Sequence, residues 1–139
     1  MPRSAVTRRV HFNAAHRLHN PDRPDDWNRA TFGACNNPSF HGHNYELDVT
    51  VEGEIDPETG YVMDLGRLNQ LVEVRLLGRL DHRNLNVDVD FMQGQMCSTE
   101  NLAVAIWQQL EPHLPGDIRL HCIKLYETPR IFVEYFGEQ

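Results

Sequence analysis

Between positions 45 and 52 the chain alternates without a break. Tyr45, Leu47, Val49 and Val51 are apolar, while Glu46, Asp48, Thr50 and Glu52 are polar. A period of two is a strand with one face in a core and the other out of it. Gly53 and the Asp56-Pro57 turn close it. An earlier strand is predicted over roughly Val6 to Ala15. From Asp64 the period changes: Leu65, Leu68, Leu71, Val72 and Leu76 fall at helical spacing, with Asp64 placed to cap the start and Gly78 near the end. A second helix is predicted from Ser98-Thr99-Glu100, with Leu102, Ala105, Ile106 and Leu110 as its buried stripe and Pro112 and Pro115 ending it. Ile118 to Glu127 and Ile131 to Phe136 then form two strands joined by Thr128-Pro129-Arg130. The order ββααββ predicts an α+β fold, a four-stranded antiparallel sheet with two helices on one face. The polar face of the second strand is either solvated or the wall of an oligomer. The stretch from Leu18 to Pro38, rich in Pro, Asp and Asn, reads as a long loop with a functional role.

The 139 residues fit one domain over positions 1–139. With 13 basic against 20 acidic side chains the net charge is −7, a poor match to nucleic acid, whose binding rests on clustered Lys and Arg. No run approaches the ~20 apolar residues of a membrane span, and Met1 to Arg9 carry no apolar run, so no signal peptide is expected. The 3 Cys are widely spaced, which argues against a disulfide framework and for a reducing, cytoplasmic setting. The 8 His make a metal site the first thing to seek.

His41-Gly42-His43 places two imidazoles on one side of an extended segment, close enough to share a metal. His16 ends the first strand, and an antiparallel hairpin would bring it beside them. His11 and His19 compete as the third ligand; His16 is favoured. Three His with an open fourth position is the arrangement of a catalytic zinc, and the donor set favours zinc over harder ions. Cys35, six residues before His41, reads three ways: a fourth ligand, a thiol made acidic by a nearby cation, or an inert loop residue. Asp81-His82 suits proton transfer, the carboxylate orienting the imidazole. Glu127, at a strand end, is placed to accept paired hydrogen bonds from an amidine-like heterocycle edge, and Glu134 is similarly ambiguous. Cys97 and Cys122 read as small hydrophobes.

Taken together, Phe12 to Leu18, Cys35-Asn36-Asn37-Pro38 leading to His41-Gly42-His43-Asn44-Tyr45, Gly60 to Asp64, Leu80 to Leu85, Ser98-Thr99-Glu100-Asn101 and Tyr126-Glu127-Thr128 resemble the 6-pyruvoyl-tetrahydropterin synthase family, in order and over nearly the whole chain. The resemblance implies the tunnelling fold, in which three subunits join their sheets into a barrel and two rings stack as a homohexamer with active sites between subunits. It implies zinc on His16, His41 and His43, Cys35 as base, and Asp81 with His82 as its proton relay, contributed by a neighbouring subunit. Glu127 matches the pterin anchor, and Thr99 and Glu100 match positions near the pterin pocket. The implied reaction converts 7,8-dihydroneopterin triphosphate to 6-pyruvoyl-tetrahydropterin with loss of triphosphate, in tetrahydrobiopterin biosynthesis. A related branch, 6-carboxytetrahydropterin synthase, cleaves a carbon–carbon bond of the same substrate. The five residues between Cys35 and His41, with Asn36-Asn37-Pro38, favour the pyruvoyl type. A reading of another class is a non-catalytic, zinc-stabilised pterin-binding protein. Arg8, Arg9, Arg17 and Lys124 are candidates for the triphosphate. The loop from Pro21 to Asp26 is placed to alter pocket access, and His11, His19, His113 and His121 are left without a role.

Overall fold

The computed structural model describes residues 1–138. Two long strands, β1 (Arg3–His16) and β2 (His41–Glu54), form an antiparallel pair in which Phe12 faces Tyr45 and Val10 faces Leu47. β4 (Arg119–Thr128) pairs with the far side of β2, and β5 (Ile131–Tyr135) returns along β4. The alternation of β2 is the cause of the layering. Its odd residues enter the core, where Phe12 and Tyr45 stack with ring centroids 5.0 Å apart. Its even residues form the outer face, where Arg9 pairs with Asp48 at 2.8 Å and the Thr7 and Thr50 hydroxyls meet at 2.7 Å. The α+β architecture is as expected, and it carries one addition. A two-residue strand β3 (Arg83–Asn84) runs parallel to the end of β1, giving a five-stranded sheet of order β3-β1-β2-β4-β5. So short a segment has no period to read.

The first predicted helix begins after Asp64 and runs as α2 (Leu65–Val72), a π turn (Glu73–Leu77) and a last turn α3 (Gly78–Leu80). Leu68, Val72, Leu76 and Leu80 are all buried. Spaced by four, they would drift around a regular helix of about 3.6 residues per turn, and the wider i→i+5 turn returns them to one face. Gly78 therefore continues the helix with φ −64° instead of stopping it. Asp64 holds the N-cap position, but its side chain makes no capping bond. Ser98 does cap α4 (Thr99–Leu110), its Oγ accepting from the Asn101 N–H at 3.2 Å.

The expected loop from Leu18 to Pro38 contains a helix, α1 (Asp25–Phe32), followed by a 3₁₀ turn (Gly33–Asn36). Asp25 and Asp26 sit in its first turn, where the helix dipole favours them. The residue that anchors it is polar. Asn28 is fully buried, its Oδ1 accepting from Asn20 N at 2.7 Å and its Nδ2 donating to Asn20 O at 2.9 Å and Pro24 O at 3.1 Å. A search for an apolar stripe passes over such a helix. No helix among the described residues is long and apolar enough to cross a membrane.

Phe12 lies at the centre of the sheet–helix contact and is fully buried. Phe12→Ala is expected to cost about 3–5 kcal/mol, measured as the change in unfolding free energy by chemical denaturation.

Candidate metal centre

The β1–β2 register sets His16 directly opposite His41 and Ala14 opposite His43. All three imidazoles therefore rise on the core face, at the end of the sheet where packing gives way to a cavity. Ring centroids lie 4.6 Å (His16–His41), 5.1 Å (His16–His43) and 5.0 Å (His41–His43) apart. One ring nitrogen from each falls within 4.8 Å of the others. His16 Nε2, His41 Nδ1 and His43 Nε2 are buried with no hydrogen-bond partner among the described residues. Buried polar atoms are rarely left orphaned, and three convergent imidazole lone pairs are what a tetrahedral zinc with an open position requires. The residues present fit the ion.

The rest of His16 is committed. Its Nδ1 lies 2.7 Å from the Cys97 carbonyl. A carbonyl only accepts, so Nδ1 carries the proton and Nε2 keeps its lone pair for a metal. Burial pushes the His16 imidazole below its ordinary pKa, with His41 and His43 adding to the effect against the Cys97 bond. Burial likewise lowers His43, opposed by Glu127. Both rings are thus held neutral, the form that binds metal. Strand parity removes the competing His11, which faces Glu46 on the outer side. His19 lies beyond the strand and meets the Asn36 amide at 3.0 Å.

Beside the histidines stands Glu127. Thr99 Oγ1 donates to its Oε2 at 2.6 Å, and its Oε1 lies 3.0 Å from His43 Nε2, close enough for an ion pair but outside hydrogen-bond alignment. His43 and Glu127 share a cavity of about 480 Å³ with Tyr126 and Pro129. Glu100 is exposed in the first turn of α4 and makes no hydrogen bond to this group. Tyr45 was missed as a site residue because the alternation places it in the core. Its hydroxyl is buried without a partner, its ring is 5.7 Å from His43, and burial, then Glu127, raises its pKa well above the usual phenol value. The signal for it is that Tyr45 alone brings a polar atom to the inward stripe of β2 between Tyr45 and Val51.

Cys35 is a half-buried free thiol in the 3₁₀ turn. It does not belong to the close ligand group, which among the described residues is His16, His41 and His43. Its carbonyl accepts from Leu18 N at 2.8 Å, and Arg17 Nε donates to Asn36 O at 2.9 Å, so its turn is bolted to the segment just past His16. Asp81 Oδ1 accepts from Asn13 N at 2.9 Å, and its Oδ2 lies 3.0 Å from His82 Nδ1. The Asn13 N–H, then His82, holds the Asp81 carboxyl below its ordinary pKa. His82 has φ +60°, left-handed backbone that costs a non-glycine residue of order 1–3 kcal/mol, and its side chain is 78% exposed. Together with His43 it lines a second cavity of about 490 Å³. Cys97 and Cys122 are buried as expected, and burial pushes the Cys97 thiol up to about 11.

Comparison with known proteins agrees with this geometry. The family model for 6-pyruvoyl tetrahydropterin synthase matches residues 5–138. The 6-pyruvoyl tetrahydrobiopterin synthase of Homo sapiens is 47% identical over 133 residues, covering 96% of this chain and 91% of the relative. The dihydroneopterin monophosphate aldolase of Pyrococcus furiosus is 34% identical over 132 residues, covering 95% and 96%. Among solved structures, that of Caenorhabditis elegans 6-pyruvoyl tetrahydropterin synthase superposes with a TM-score of 0.93 at 37% identity, covering 99% of this chain and 98% of the other.

The lowered pKa values of His16 and His43 predict a pH dependence for the metal-free protein. The unfolded chain binds protons on these rings near the ordinary value of about 6.5, the folded protein only at lower pH. As pH falls through that value the unfolded state gains protons first, so stability is lost; above it the dependence vanishes. Thermal melts of chelator-treated protein should coincide at pH 7.5 and above and shift down between about pH 6.5 and 5, above the range in which carboxylates titrate. A melting temperature flat over that window contradicts the assignment.

Proposed function

This chain belongs to the 6-pyruvoyl tetrahydropterin synthase family, a family of pterin-pathway enzymes, and from that membership we propose that it converts 7,8-dihydroneopterin triphosphate to 6-pyruvoyl-tetrahydropterin with elimination of triphosphate, using zinc. The observation that carries the reading is the convergence of three imidazoles, each with one buried nitrogen that has no hydrogen bond among the described residues, beside a carboxylate already held by Thr99. His16, His41 and His43 would hold the zinc, which would supply Lewis acidity at the side-chain oxygens of the substrate and so acidify the adjacent carbon-bound protons.

The chain's own residues do the rest. Glu127 accepts the N–H donors of the amino-pyrimidinone edge; a carboxylate has enough lone pairs to keep the Thr99 bond while doing so. Glu100 stays a candidate near the pterin pocket from the resemblance alone, being exposed and without a bond to Glu127. Cys35, as thiolate, removes protons from the side-chain carbons and delivers protons to the ring. Asp81 orients His82 and stabilises its protonated form, completing the relay. The balance is internal: both hydroxyl-bearing carbons end as carbonyls, the ring gains two hydrogens, and the terminal carbon loses triphosphate, with the C–O electron pair leaving on the phosphate, and takes up a proton to end as a methyl group. No external oxidant or reductant enters.

The proposal extends to a homohexamer, a dimer of trimers, in which the relay reaches a neighbouring subunit's zinc. One feature favours it: β5 ends the sheet with Phe132 44% exposed on the outer face. The free cysteines suit a reducing, cytoplasmic setting. Arg8, Arg9, Arg17 and Lys124 stay candidates for the triphosphate, although Arg9 is paired with Asp48 and Arg17 with the Asn36 carbonyl. A second reading, carbon–carbon cleavage of the 6-carboxytetrahydropterin synthase type, is favoured by the 34% identity to a relative named as an aldolase.

Purified zinc-loaded protein incubated with dihydroneopterin triphosphate should release triphosphate and give the 6-pyruvoyl product by mass spectrometry. A product that has lost side-chain carbons overturns the choice in favour of cleavage, and no product favours the pterin-binding reading. Cys35→Ala should abolish turnover, a loss of at least about a hundredfold, while zinc stays near one per chain. Loss of zinc instead makes Cys35 a structural ligand.

A further inference from the structure

Two of the interactions described above come from one short stretch of backbone. The Cys97 carbonyl fixes the His16 tautomer at 2.7 Å, and two residues later the Thr99 hydroxyl holds Glu127 at 2.6 Å. Neither depends on the Cys97 side chain, whose buried thiol makes only a weak 3.7 Å contact with the Gln95 carbonyl. What places this backbone is Asn101. Its N–H donates to Ser98 Oγ at 3.2 Å, and its side-chain Nδ2 donates to the Met96 carbonyl at 3.0 Å. One residue therefore grips the chain on both sides of Cys97. The first bond is an ordinary helix cap, with Asn101 the third residue of α4. The second reaches back past the cap to the chain before the helix.

We infer that Asn101 is a positioning residue for the metal centre: its side-chain amide clasps Met96 so that the Cys97 carbonyl is aimed at His16 Nδ1, which leaves His16 Nε2 as the ligand atom. The inference rests on the metal reading of His16, His41 and His43. Outer partners of a ligating imidazole set its orientation and basicity, and their loss weakens metal binding about 10–100-fold. Thr99 leaves the same clasped turn, so the metal ligand and the carboxylate anchor are referenced to one point of the fold.

Asn101→Asp isolates the clasp. An aspartate in the first turn keeps its backbone N–H for Ser98 and suits the helix dipole, but it cannot donate to the Met96 carbonyl. Zinc affinity is measured by competition with a chromophoric chelator for the wild-type chain, Asn101→Asp, Asn101→Ala and His16→Ala. Asn101→Asp is expected to bind zinc about tenfold or more weakly, with a zinc-free melting temperature close to wild type. In the zinc-free protein the ¹⁵N shifts of His16 should change from a single tautomer protonated at Nδ1 to a mixture. Should Asn101→Asp not fold, Asn101→Ala carries the same expectations. Wild-type-like zinc affinity and an unchanged His16 tautomer in these variants overturn the clasp alone. A wild-type chain that holds no zinc, or a His16→Ala chain that holds it as tightly, overturns the metal reading and the inference with it.

Discussion

The register of β1 on β2 is the constraint on which the rest of this structure depends. It sets His16 across from His41 and carries His43 onto the same face. A slip of one residue would turn the inward side chains of one strand outward, removing Phe12 from its stack on Tyr45 and scattering the three imidazoles between two faces. The register is held at one end by that apolar stack and on the outer face by the Arg9–Asp48 and Thr7–Thr50 pairs. The same side-chain alternation that builds the core therefore builds the ligand set. The histidine cluster is the point where the apolar stripe of the sheet becomes polar.

The surroundings of that centre are supplied by elements distant in sequence. The start of α4 contributes a carbonyl to His16 and a hydroxyl to Glu127, whereas Glu127 itself arrives on β4. The 3₁₀ turn carrying Cys35 is tied to Arg17 and Leu18, and Asp81 to Asn13. Apart from the Thr99–Glu127 bond, each tie lands on β1 or just past it. The first strand thus serves as a common reference for a ligand, a thiol and an acid–base pair, and small shifts in any one are resisted by bonds to the same backbone. Burial does the electrostatic work, keeping His16 and His43 neutral.

Much of this was legible from residue order. The period of two in β2, the period change after Asp64 and the Ser98 cap predict the α+β fold, and the hairpin argument places His16 with His41 and His43. Other parts were not. α1 hides because its anchor, Asn28, is an amide satisfied by the backbone of Asn20 and Pro24, so no apolar period marks it. The π turn after Val72 leaves only a spacing of four, which a regular helix also accepts with a drift of about 40° per step, so the sequence alone does not mark it. Tyr45 reads as a core residue whose phenol is the one mark on the inward stripe, and its role shows only when the hydroxyl is seen without a partner.

By itself the sequence determined which atoms are available: three imidazoles in phase on two strands, a thiol, an acid–imidazole pair and a strand-end carboxylate. Periodicity and spacing carry that information because they act over a few residues. Only the tertiary structure decided which atoms are free and which are already engaged. His16 Nδ1 is taken by a carbonyl, one oxygen of Glu127 by Thr99, and Arg9 by Asp48. A hydrogen bond to backbone depends on position and not on side-chain identity, so the residue supplying the Cys97 carbonyl leaves no mark in its own letter.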